Sequence, residues 1–231
     1  MKKLILAAFA LTTAASVFAQ GTIYLGNRFT TAPAQTTHIY APLNITDTVG
    51  VIGLAANDTP AGGTTDFGGR AFIGATLNGQ YGAATTRAQF IAAVGANQPV
   101  ESLQPVGQWT TFRSGGGAGF LAQIASTLSG TGFGEAAAGP FTFSIVAWDN
   151  FTGDYPTWEL AKPAWEAGLI AAGMMDPFQV NSLGGGTVFP VQATQAGQVL
   201  TSFNLYFIPE PSSMVLAGLG AAALLIFRRR N

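Results

Sequence analysis

The chain has 231 residues, of which 48% are hydrophobic and only 9% charged, against a usual charged share of about 25%. That composition excludes a charge-rich disordered tail and a coiled coil, and it lacks the clustered basic patch of a nucleic-acid-binding protein. Its 30 Gly and 12 Pro point to many turns rather than long helices, and its length to one main domain.

The formal net charge of −1 hides two basic ends around an acidic middle. Lys2 and Lys3 lie at the start and Arg228, Arg229 and Arg230 at the end. Residues 20–208 hold five basic and ten acidic side chains, a net of −5. Such a body is repelled by anionic headgroups and by nucleic acid.

Residues 1–19 read as a secretory signal peptide: Lys2 and Lys3 form its positive start, Leu4 to Leu11 its apolar stretch, and Val17-Phe18-Ala19 a cleavage site between Ala19 and Gln20. The alternative is a buried N-terminal helix, which two lysines directly before the apolar run argue against.

Residues 20–208 form the exported domain, and period-two alternation rich in aromatic and β-branched residues marks its strands. In chain order these are Ile23 to Leu25, His38 to Leu43, Ala71 to Leu77, Trp109 to Phe112, Phe120 to Ala125, Phe141 to Trp148, Thr187 to Val191 and Thr201 to Phe207. Phe141, Phe143 and Ile145 share one face of their strand, as do Phe203, Leu205 and Phe207. Gly62-Gly63, Gly68-Gly69, Gly115-Gly116-Gly117 and Gly184-Gly185-Gly186 supply turns between them. Thr86 to Val94, with Phe90 and Val94 at i, i+4, reads as one or two helical turns. Trp158, Ala161, Trp165 and Leu169 stand at helical spacing, with a short helix expected from Pro163 to Ala172 and Pro163 limiting it on the N-terminal side. The expected fold is mainly β, an antiparallel sandwich or jelly roll with one or two short helices.

Beyond residue 208 the character changes. Pro209-Glu210-Pro211 cannot belong to a helix interior or a central strand, so an exposed, extended stub is expected there. Met214 to Phe227 then runs without a charge, and Met214, Leu216, Leu219, Leu224, Leu225, Ile226 and Phe227 are its large apolar members. As a helix it rises about 21 Å at 1.5 Å per residue, against a hydrocarbon core of about 30 Å. Ser212 and Ser213 extend it and the arginines snorkel. Arg228, Arg229 and Arg230 set the topology by staying on the cytoplasmic side, which leaves the body outside.

The order of Pro209-Glu210-Pro211, an apolar helix containing Gly218-Leu219-Gly220, and Arg228-Arg229-Arg230 resembles a PEP-CTERM sorting signal. The resemblance covers the tail, residues 209–231, and departs from the usual pattern in carrying Ile208 where Val precedes the tripeptide. It implies an exported protein of a Gram-negative, exopolysaccharide-making bacterium, anchored in the inner membrane as a precursor. An exosortase, a membrane-embedded cysteine transpeptidase, would recognise Pro209, Glu210 and Pro211 and remove the helix, releasing the body to the cell surface or extracellular matrix, where exopolysaccharide is a partner. The middle of the chain also loosely resembles bodies that precede this tail, through Pro105-Val106-Gly107, Thr111-Phe112-Arg113 and Ala147-Trp148-Asp149.

Catalytic chemistry finds little support. With no cysteine there is no thiol nucleophile, thiolate zinc site or disulfide. His38 is the single histidine, in a strand-like Thr37-His38-Ile39-Tyr40, and no Gly-x-Ser-x-Gly motif accompanies it. The glycine runs lack the Lys-Ser/Thr of a phosphate loop. Asp149, Asp154, Glu159 and Glu166 cluster within a short stretch, which paired-acid glycoside hydrolysis would need, but turn and solvent-facing roles account for them better. Asp149, Asn150 and Asp154 offer oxygen ligands for calcium without the EF-hand order. Trp109, Trp148, Trp158, Trp165 and Tyr155 suit either a sugar-stacking platform or a core. The expectation is a non-enzymatic surface protein without a cofactor; the alternative is a carbohydrate-binding module or carbohydrate-active enzyme.

Overall fold

The computed structural model describes residues 21–209 apart from 32, 61–62, 129–131, 135–137, 186–189 and 194–198. The signal peptide, the cleavage site at Ala19 and Gln20, and the tail from Glu210 onward lie outside the described residues.

The strands are β1 (Thr22–Leu25), β2 (Arg28–Phe29), β3 (Gln35–Thr36), β4 (Ile39–Tyr40), β5 (Ile52–Gly53), β6 (Thr86–Val94), β7 (Gln104–Thr110), β8 (Ile124–Thr127) and β9 (Ala138–Asp149). Helix α1 (Trp158–Glu166) follows, then β10 (Ala172–Met174), β11 (Phe178–Ser182), β12 (Val191–Gln192) and β13 (Ser202–Asn204). The protein is mainly β, as its alternation predicts. Among the described residues the strands form four sheets: β10-β9-β6-β7 with β11 also on β9, β12-β1-β8, β4-β13-β5, and β2-β3.

The β9–β6 pair is the spine, antiparallel over nine residue pairs from Thr86↔Asp149 to Val94↔Phe141. Phe141, Phe143 and Ile145 do share a face, and with Ala88, Phe90 and Ala92 of β6 they enter the main core. The opposite face carries Ile91, Val146 and Trp148, which join a second cluster under α1. Phe203 and Leu205 also reach the main core, with Phe207 packed against it.

The strand at Thr86–Val94 corrects the helical expectation. A spacing of four is even, so Phe90 and Val94 fall on one face of a strand as readily as of a helix. Apolar groups cover both faces of β6, which erases the alternation that would have identified it.

Helix α1 lies earlier than expected and contains Pro163 rather than starting at it. The ring is exposed, and the cost is the N–H that would have bonded to Glu159. Trp158, Ala161, Ala164 and Trp165 are buried, but Leu169 is 68% exposed. Gly168, at φ +73, ends the helix, and the N–H of Leu169 closes back on the carbonyl of Ala164 at 2.9 Å. Ala172, the expected helix end, instead opens β10 and pairs with Trp148.

Other strand expectations shift for local reasons. The segment at His38 to Leu43 keeps only β4, with Pro42 close behind it. Ala71 to Leu77 forms no strand; Phe72 makes a single bridge with Tyr40, and Gly74 turns the chain at φ +82. From Trp109 to Phe112, β7 takes only the first two residues, having begun at Gln104, and Phe112 bridges Leu121 alone. Within Phe120 to Ala125, β8 starts at Ile124. Residues 187–189 lie outside the described residues, and Val191 begins β12.

Candidate functional sites: the tail exit and the groove beside the helix

The last described segment leaves the fold under close control. Tyr206 pairs with Ala172, its carbonyl accepts the indole N–H of Trp165 at 2.9 Å, and the N–H of Phe207 donates to the carbonyl of Asp47 at 2.8 Å. Ile208 packs against the second cluster, and Pro209 is exposed. The first residue of the Pro-Glu-Pro sequence is thus exposed directly after a segment held by the body.

Asp47, which holds that exit, is itself clamped. Arg70 Nε donates to its Oδ2 at 2.9 Å and Nη2 to its Oδ1 at 2.8 Å, in the fork geometry that makes such pairs strong. Burial pushes the Asp47 carboxyl up, but Arg70 and the N–H groups of Leu43 and Val49 outweigh it and hold it below its usual value. A carboxyl lowered by folding contributes stability that is complete above its unfolded pKa and disappears as pH falls through the folded one. Asp47→Asn is expected to lower stability at pH 7 and to flatten the loss of stability below about pH 4. Urea melts across pH check this, and an unchanged acid limb contradicts it.

The acidic cluster does not converge. Asp149 is 5% exposed; its Oδ1 accepts the N–H of Phe151 at 2.9 Å and its Oδ2 the amide of Gln80 at 3.0 Å. Burial raises its carboxyl pKa, only partly offset by those two donors. Asn150 Oδ1 accepts the N–H of Tyr155 at 2.9 Å, and Asp154 is exposed. These oxygens cap a turn, as their spacing allowed. Glu166 pairs with Lys162 on the exposed side of α1, and Glu159 lies in its first turn. Among the described residues no three His, Cys, Asp or Glu side chains gather in a way that could hold a metal ion.

Most of the expected aromatic platform is core. Trp148, Trp158 and Trp165 are 0%, 3% and 5% exposed. Their rings run in sequence, with centroids 5.7 Å and 6.0 Å apart, to Tyr206 at 5.3 Å from Trp165. The indole N–H of Trp148 donates to the carbonyl of Tyr155 at 2.8 Å. Trp109 differs: it is 40% exposed, and the Arg87 guanidinium lies 3.8 Å from its ring centre.

His38 belongs to a buried network that sequence spacing cannot reveal. Its Nδ1 lies 2.7 Å from Asp58 Oδ1, Ser202 Oγ donates to Asp58 Oδ2 at 2.7 Å, and the N–H of Ala55 donates to the same oxygen at 2.7 Å. The N–H of His38 donates to Ser202 Oγ at 2.6 Å. Here the carboxylate sits between the histidine and the serine, so the imidazole does not receive the serine proton as it does in a nucleophilic triad. Phe72 and Phe120 cover the ring, with centroids at 4.7 Å and 4.6 Å.

Two depressions adjoin at Glu159. One, of about 500 Å³, lies against α1 and is floored by Ile91, Leu103, Trp158 and Trp165, with Glu101 and Lys162 among its exposed lining. The other, of about 510 Å³, is lined by Gln89, Gly107, Gln108, Trp109, Thr157 and Glu159. An irregularity in β7 shapes the second: Ala88 faces Thr110 while Phe90 faces Val106, leaving extra residues on the β7 side. Gly107 makes this possible at φ +67, because a Cβ there would lie 2.1 Å from Ser126 Oγ. The consecutive residues Gln108 and Trp109 are consequently both turned outward.

No helix among the described residues is long and apolar enough to cross a membrane; the helix expected over Met214 to Phe227 lies outside them. No curated protein and no solved structure matches the chain. A family model, described as the PEP-CTERM protein-sorting motif, matches residues 207–230. It begins at the residue that Asp47 fastens and runs through the arginine cluster, as the order of the tail suggested. The C-terminal tail of this chain is a PEP-CTERM sorting motif, which marks an extracytoplasmic protein for exosortase-mediated processing.

Proposed function

We propose that this protein is delivered to the cell surface or extracellular matrix after its tail is removed, and that residues 20–208 act there as a structural or interaction module and not as an enzyme. The observation that carries this reading is the match of the sorting motif over residues 207–230, within which Pro209 is exposed. In this reading Lys2, Lys3 and the apolar stretch direct export, Met214 to Phe227 hold the precursor in the inner membrane, and Pro209, Glu210 and Pro211 are read by the exosortase. The dispersed acids and the buried Asp58-centred network support a non-catalytic body.

Intact mass spectrometry of protein from its native cells, separated into membrane, surface and medium, tests it. The surface form is expected to lack residues 1–19 and everything beyond the Pro209–Pro211 region, and Glu210→Ala is expected to accumulate as membrane-bound precursor. Surface or secreted protein with a mass running through Asn231 overturns the processing step.

A further inference from the structure

We propose that the depression bounded by Gln89, Trp109 and Glu159 is a binding subsite for a neutral, hydroxyl-rich saccharide chain. This deepens the reading of the body as an interaction module and rests on that reading, not on the fate of the tail.

The first observation is an unpaired acceptor. Gln89 is 7% exposed and lines the depression, and its Oε1 has no hydrogen-bond partner among the described residues. The amide is not free to turn over, because its nitrogen donates to the carbonyl of Gly107 at 2.9 Å, where an oxygen would be repelled. A buried acceptor without a donor costs about 1–3 kcal/mol; because Oε1 itself is closed to solvent, it meets a ligand O–H or N–H only when the side chains around the depression give way to admit one.

The second observation is the aromatic group beside it. Trp109 is 40% exposed, yet Arg87 holds its ring by stacking on it and donates from Nη1 to the carbonyl of Pro156, ahead of α1. A ring fixed before binding loses little entropy on contact. Pyranose rings present an apolar C–H face to such a ring and hydroxyls at their edge, which both donate and accept. Gln89 Oε1 and Glu159 accept, while Gln108 and Thr157 do either.

Other ligand chemistries fit less well. The body's net charge of −5 and Glu159 in the lining disfavour an anionic polymer. A peptide added as a strand needs a free edge. β7 pairs with β6 on one side. Opposite, the Gln108 N–H donates to Ser126 Oγ at 3.1 Å and Thr110 Oγ1 to the carbonyl of Ala122 at 2.6 Å.

The test is calorimetric titration of the full chain, held in a sugar-free zwitterionic detergent, with gluco-, manno- and galacto-hexasaccharides and with hexameric alginate as the anionic comparison. At least one neutral hexasaccharide is expected to bind, and alginate to bind at least tenfold more weakly. Trp109→Ala and Gln89→Leu are each expected to weaken binding tenfold or more, whereas Asp154→Ala leaves it unchanged. Thermal melts of each variant separate lost binding from lost folding. If Gln89→Leu unfolds, Trp109→Ala, at a partly exposed position, decides alone. No binding by the wild type, equal binding of alginate, or binding indifferent to Trp109→Ala overturns the proposal. The mass experiment reads the tail and the titration reads the groove, so either can fail without the other.

Discussion

Asp58→Ala is expected to lower folding stability by about 3 kcal/mol or more, since each buried donor left without an acceptor costs about 1–3 kcal/mol. The Asp58 side chain is fully buried, and its two oxygens accept from His38, Ser202 and the N–H of Ala55. Alanine leaves all three without an acceptor, in a site closed by Phe72 and Phe120. The damage extends beyond one loop. His38 precedes β4 and Ser202 opens β13, and these strands pair in parallel through Phe203↔Ile39. Asp58 thus ties the segment at His38 to that at Ser202, 164 positions away in sequence. Asp58→Asn is expected to cost less, about 1–2 kcal/mol. Its carbonyl retains two of the donors, and its amide can donate to Nδ1 of the other histidine tautomer. Urea unfolding followed by tryptophan emission measures both; an alanine variant as stable as the asparagine one contradicts the network.

Trp158→Ala is expected to cost about 3–5 kcal/mol, as for other large buried aromatics. The ring lies between those of Trp148 and Trp165, so its removal opens a cavity in the middle of the second cluster. It also undoes the floor of the depression against α1 and loosens the helix that reaches Tyr206 through Trp165. Trp158→Phe is expected to lose less than half as much. A Trp158 acting as an exposed sugar platform would give the opposite pattern, with weakened binding at nearly unchanged stability. Unfolding midpoints of the two variants decide between these outcomes. Trp109→Ala, by contrast, is expected to show that surface pattern.

The two tryptophans illustrate how far residue type can carry a functional reading. Both stood in the sequence as candidates for core or platform, and nothing local separates them. Trp158 is buried because α1 turns it onto Trp148; Trp109 is exposed because Gly107 allows β7 to bulge. Burial on both faces likewise concealed β6, and the capacity of a short helix to contain an exposed Pro163 displaced α1 from its expected position. Gln89 carried no signal at all, since an orphaned acceptor exists only relative to the groups around it.

What the sequence determined by itself is the mainly β character of the body, the strand core at Phe141 to Trp148 and the sorting motif of the tail. These depend on local order: alternation along one strand, or a tripeptide, an apolar run and arginines in succession, each legible without knowing what packs against it. Only the tertiary structure decided that His38, Asp58 and Ser202 form one buried network, that three of the four tryptophans are core, and that Gln89, Trp109 and Glu159 line one depression. Those relations join residues from separate strands and loops. Their burial and hydrogen bonding arise only once distant segments pack together and exclude water.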